Sequence, residues 1–98
     1  MFLAKVIGNV VATQKNAKFQ GMKLLVIQPY INKDKTLVQS GSSVVAVDSV
    51  GAGLGECVLF TQGSSARLTP TTKDAPVDCV IVGIVDTIEV EGQRVEKP

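Results

Sequence analysis

The chain has 98 residues and a mass of 10.3 kDa, room for one domain and not for a second that would form a cleft with it. Val, Ile and Thr together supply 29 residues, and such side chains fit a pleated, half-buried surface better than a helix, so the composition predicts an all-β fold. A net charge of +1, one Tyr, three Phe and no Trp weigh against the cationic footprint and the stacking platform of a nucleic-acid binder.

Taken in chain order, the opening segment alternates, with Phe2, Ala4, Val6, Gly8, Val10 and Ala12 on one face and Lys5, Asn9 and Thr13 on the other. This pattern predicts a long strand facing a core. Gly8 has no side chain to pack and marks the expected bend of a barrel corner. Residues 14–21 are polar and Lys-rich, hence a connection, and residues 22–31 form the second expected strand. Leu24, Val26 and Tyr30 lie on one face of it and Leu25, Ile27 and Ile31 on the other. A strand apolar on both sides is central in a two-layer core or sits on a subunit interface. Pro29 cannot donate to a ladder, so an edge or bulge is expected there.

Residues 32–41 read as a second polar connection, residues 43–50 as a third strand and residues 56–61 as a fourth. Residues 63–68 (GSSARL) suit one helical turn with Ser64 as its N-cap. Residues 77–90 form the fifth expected strand, and residues 91–98 a charged tail. Five short strands, glycine at the bends and one helical turn fit a small barrel of the oligonucleotide-binding type over residues 1–90. Area scaling buries about 64% of the surface of so short a chain, a modest core that self-association would help.

Charge is divided along the chain. Residues 1–35 carry six Lys and one Asp, and residues 36–98 carry four basic and eight acidic groups; opposite patches favour head-to-tail contact between copies, but by itself the division reads first as solvated turns and faces. The longest apolar run, residues 79–85, falls far short of the roughly 20 residues of a membrane helix. Lys5 interrupts the apolar start, so no signal peptide and a cytoplasmic location are expected.

The candidate chemistry is thin. Cys57 and Cys79 each lie in an apolar stretch and His is absent, so buried reduced thiols are expected, with no metal site and no cofactor. The cluster Gly51-Ala52-Gly53-Leu54-Gly55 invites a phosphate-loop reading, but a strand follows it where an anion site needs a helix N-terminus. A tight turn between strands, with positive φ at one or more of the glycines, is the better reading. Asp48 is placed to accept hydrogen bonds from that loop's backbone and hold its shape. Pairing Asp48 with Glu56 as catalytic carboxylates lacks a cleft to hold a substrate, and Ser64 and Ser65 have no base beside them. Arg67 suits a carboxylate or a backbone carbonyl across an interface, or open solvent, equally.

Several strings together resemble one family. They are Gly8-Asn9-Val10-Val11-Ala12-Thr13-Gln14-Lys15, Lys23-Leu24-Leu25-Val26-Ile27-Gln28-Pro29, Val47-Asp48-Ser49-Val50-Gly51-Ala52-Gly53-Leu54-Gly55-Glu56, Gly63-Ser64-Ser65-Ala66-Arg67 and Val82-Gly83-Ile84-Val85-Asp86. Their order and spacing are similar to those of the EutN/CcmL vertex proteins of bacterial microcompartments. The resemblance implies a five-stranded barrel that assembles as a homopentamer, caps the corners of a polyhedral shell beside hexagonal shell proteins, and catalyses nothing. It makes Asp48, Gly51, Ala52, Gly53, Gly55, Glu56, Ser64, Ser65 and Arg67 candidates for a structural loop, pore or interface, with no nucleic acid or membrane as partner. The alternative from another class is a barrel module that binds single-stranded nucleic acid.

Overall fold

The computed structural model of the chain describes residues 1–12, 21–63, 66 and 78–98. Eight strands run through them: β1 (Phe2–Val10), β2 (Lys23–Lys33), β3 (Thr36–Gln39), β4 (Val44–Asp48), β5 (Cys57–Gln62), β6 (Cys79–Ile84), β7 (Ile88–Val90) and β8 (Gln93–Val95). The main sheet has the order β1-β5-β6-β4-β2-β3, and β1 also pairs with β2. That extra pairing closes β1, β5, β6, β4 and β2 into a five-stranded barrel, with β3 attached outside the ring along β2. All pairings in the ring are antiparallel except β4 with β6.

Strand alternation sorts the apolar residues. Ala4, Val6, Leu25, Ile27, Ala46, Val58, Phe60 and Ile81 point inward and form the buried core, where the Phe60 ring lies 5.4 Å from that of Phe2. The opposite faces of β4 and β6 present Val47 and Val80, which pack with Ala66, Leu24, Met22 and Val82 in a second cluster. The two apolar faces of β2 are thus both used: Leu25 and Ile27 fill the barrel, and Leu24 packs outside it.

The β1–β2 register shifts between Val6 and Gly8. Ile7 is the extra residue of this bulge, so the long strand bends at Gly8, as a barrel corner requires. A Cβ on Gly8 would touch Val26 at 3.8 Å, an ordinary contact. Pro29 falls where β2 exchanges β4 for β3 as its neighbour: β4 pairing ends at Ile27, β3 pairing begins at Tyr30, and the Pro29 carbonyl accepts the Ser40 N–H at 3.0 Å. The missing donor therefore costs no ladder bond on that side.

Three expectations are corrected. Residues 32–41 are not a plain connection, because β2 runs on to Lys33 and turns back as β3 through Asp34 and Lys35, both left-handed with φ of 52° and 63°. The strand expected over residues 77–90 divides, with β6 ending at Ile84 and β7 starting at Ile88. Residues 93–95 of the expected tail pair with β7 in a hairpin outside the barrel sheet, and Val95 in it is buried. The helical turn expected over residues 63–68 lies outside the described residues except at Gly63 and Ala66.

Candidate functional site

The glycine-rich segment joins β4 to β5 across one mouth of the barrel, and polar contacts hold it at nearly every residue. Asp48 ends β4 with its side chain 1% exposed, so its carboxylate must be fully bonded or it would cost several kcal/mol. Its Oδ1 accepts the N–H groups of Val50 at 3.0 Å and Gly51 at 3.1 Å, and its Oδ2 accepts that of Ala52 at 2.9 Å. Lys23, at the start of β2, places Nζ 3.6 Å from Oδ2 and donates to the Ala52 carbonyl at 2.7 Å. Ser49 donates its hydroxyl to the Ile81 carbonyl and ties the start of the segment to β6.

The tip of the segment is a turn over Gly53, Leu54, Gly55 and Glu56. The Glu56 N–H donates to the Gly53 carbonyl at 3.2 Å and Gly55 has a φ of 86°, the signature of a type II turn with glycine where a side chain would be strained. The Glu56 carboxylate reaches back to accept the Gly53 N–H at 2.7 Å. Gly51, with a φ of 78°, makes the other left-handed step. Two backbone bonds then fasten the segment to β1 beside its bulge: Gly55 N–H to the Val6 carbonyl and Val6 N–H to the Glu56 carbonyl, each 2.9 Å.

This geometry leaves little for catalysis in the two carboxylates. Asp48 is saturated by backbone N–H groups and Glu56 is bound to Gly53. Strand β5 follows the glycines directly, and the N–H groups of Gly51 and Gly53 serve the two carboxylates while that of Gly55 serves the Val6 carbonyl, so they do not converge on an anion. Cys57 and Cys79 are free and buried. Burial pushes the Cys57 thiol up, offset in part by the Lys97 ammonium, and burial together with the Asp78 carboxylate pushes the Cys79 thiol up to about 11. Neither is a ready thiolate nucleophile. Among the described residues there is no group of three or more His, Cys, Asp or Glu placed to hold a metal ion.

Of the residues singled out in the sequence, the structure brings together Asp48, Gly51, Ala52, Gly53, Gly55 and Glu56, while Ser64, Ser65 and Arg67 lie outside the described residues. Lys23 was not singled out. It is 25 residues upstream of Asp48, and no local pattern ties the two.

The family pattern described as "Ethanolamine utilisation protein EutN/carboxysome" matches residues 1–86. The chain belongs to the EutN/CcmL family. Relatives agree along nearly the whole length: the bacterial microcompartment shell vertex protein GrpN of Rhodospirillum rubrum is 48% identical over 89 residues, which cover 91% of this chain and 97% of that protein. The solved structure of CcmL from Nostoc sp. superimposes with a TM-score of 0.87 at 42% identity, covering 99% of this chain and 100% of the other. The structure of R. rubrum GrpN, described as a pentameric microcompartment shell protein, superimposes with a TM-score of 0.76 at 48% identity, covering 92% and 98% of the two chains. The braced segment therefore belongs to a EutN/CcmL barrel whose named relatives are shell vertex proteins.

Proposed function

We propose that this chain is a structural shell protein that closes the five-fold corners of a bacterial microcompartment as a homopentamer. The observation that carries this reading is its near end-to-end likeness, in sequence and in fold, to a pentameric shell protein. The geometry of shells gives the role its logic. A flat lattice of six-fold units cannot close on itself without five-fold points, so a pentamer at each corner completes the shell by shape alone. Its partners are its own copies and the hexagonal shell proteins around each corner, its place is the shell in the cytoplasm, and it needs no cofactor. The bonded-up carboxylates and the high thiols accord with a protein that does no chemistry. In this reading the segment from Asp48 to Glu56, with Ser64, Ser65 and Arg67, is a structural loop at a contact between copies or near the five-fold axis.

The test is deletion of the gene followed by electron microscopy of the compartments. Facets form without corners, so the expected result is elongated or leaky shells that still contain cargo, restored by the wild-type gene. Normal sealed polyhedra in a deletion strain that encodes no second vertex protein would overturn the proposal.

A further inference from the structure

Cys57 is buried although its side chain lies outside the barrel. In β5 it alternates with Val58, and its β1 partner Lys5 alternates with Ala4; Val58 and Ala4 point into the core, so Cys57 and Lys5 point outward. Lys5 is half-buried there, yet Cys57 is only 3% exposed and belongs to neither apolar cluster. Cys79 differs, since it is a member of the core cluster itself.

The cover over Cys57 comes from residues 86–98. The outer face continues along the β2–β3 hairpin: Leu3 alternates with Ala4, Tyr30 pairs with Leu3, Asn32 follows Tyr30 by two residues, and Leu37 pairs with Asn32. The β7–β8 hairpin lies along this face, because Asn32 shares one hollow with Val90 and Glu91, and Leu37 shares another with Val95 and Lys97. Val95 is buried and the Lys35–Glu91 pair ties the tip at 3.6 Å. Beyond β8, the chain reaches the thiol: burial pushes Cys57 up, and the Lys97 ammonium is close enough to oppose that rise.

The hairpin is held down by little else. Strands β7 and β8 form a sheet of their own, and among the described residues no hydrogen bond joins residues 86–98 to the barrel. The last such bond before them runs from the Val85 N–H to the Cys57 carbonyl at 2.9 Å. Closure therefore rests on buried Val95, on half-buried Ile88 and Val90, and on an ion pair too exposed to contribute much. Each strand of the barrel, by contrast, is paired on both sides.

We propose that residues 86–98 are a strap, hinged after Val85, that lies over the outer wall of the barrel, lifts as a unit while the barrel stays folded, and by its closure hides Cys57. Lifting it bares the wall around Leu37 and Cys57 and leaves Cys79 enclosed in the core.

The test is alkylation with iodoacetamide at pH 8 under native conditions, with mass spectrometry to locate the label and hydrogen exchange in β1 and β5 to establish that the barrel is folded. Wild type, with the strap down, keeps both thiols protected. Val95→Asp cannot close without burying an unpaired carboxylate, so in that variant Cys57 is expected to react at least about tenfold faster than Cys79. Val95→Ala removes two methyl groups and gives the same preference in weaker form, and it decides the matter if Val95→Asp does not fold. A Cys57 that stays unreactive after residues 88–95 have lost exchange protection would show that something other than the strap covers it. Equal reactivity of the two thiols in every folded variant, whether both react or neither does, would show that the hairpin does not open apart from the barrel. Either result overturns the proposal.

Discussion

Asp48 and Lys23 grip the same residue from its two ends: the carboxylate accepts the Ala52 N–H at 2.9 Å while the ammonium donates to the Ala52 carbonyl at 2.7 Å. The two side chains stand 3.6 Å apart but are unequal, since the Lys23 side chain is 53% exposed and that of Asp48 only 1%. Removing the carboxylate strands three backbone N–H groups, each worth about 1–3 kcal/mol when left unpaired. Asp48→Ala is expected to destabilise the fold by about 3 kcal/mol or more, and Lys23→Met by about 1 kcal/mol or less, because water can replace an exposed ammonium. Denaturant titration of both variants checks the ranking.

The three glycines of the segment are not equivalent. Gly51 and Gly55 are left-handed, so Gly51→Ala and Gly55→Ala each cost about 1 kcal/mol in backbone strain. Gly53 has no positive φ, and a Cβ there would meet only the Glu56 Oε1, at 3.3 Å. Gly53→Ala is therefore expected to cost less than either, through the bond to Glu56 alone. Melting temperatures of the three single variants test the order.

The buried thiols give a pH dependence with a fixed sign. The Cys79 pKa is raised from 9.0 to about 11, so its neutral form is favoured in the folded state. Its contribution is complete below about pH 9 and is lost as the pH rises toward 11, a decline of about 1–2 kcal/mol. Stability curves of wild type and Cys79→Ala should converge over that range. At pH 8 neither Cys57 nor Cys79 should react with an alkylating reagent until the protein is unfolded.

The ion pair between Lys35 and Glu91 joins the β2–β3 turn to the β7–β8 turn at 3.6 Å, but the Glu91 side chain is 77% exposed. Exposed pairs contribute about 0.2–1 kcal/mol and are screened by salt, so Glu91→Gln should change little. Val95 is 4% exposed and is the residue of the hairpin that burial commits. Val95→Asp is expected to free the hairpin while the barrel persists, read as lost hydrogen-exchange protection over residues 88–95 with protection retained in β1 and β5.

The parts of the fold legible in the sequence are those with strong periodicity or glycine. Alternation along β1, the two apolar faces of β2 and the bend at Gly8 follow from side-chain pattern alone. Strand β3 escaped notice because it is four residues long and its hairpin turn uses Asp34 and Lys35 in place of glycine, so no turn signal separates it from β2. The break between β6 and β7 was hidden for the opposite reason: Val85, Asp86 and Thr87 carry no Gly or Pro to mark a stop. In the segment from Asp48 to Glu56 the glycines and carboxylates stand out locally. The contributions of Lys23 and of the β1 bulge depend on strand pairing across the barrel, which no short window of sequence contains.

The most direct measurement of the central claim is cryo-electron microscopy of shells assembled from the hexagonal shell proteins with and without this chain. Shells containing it should show five barrels around each five-fold corner, and shells lacking it should have open corners and otherwise normal facets. Corners filled without the chain, or the chain distributed over the facets, would contradict the account.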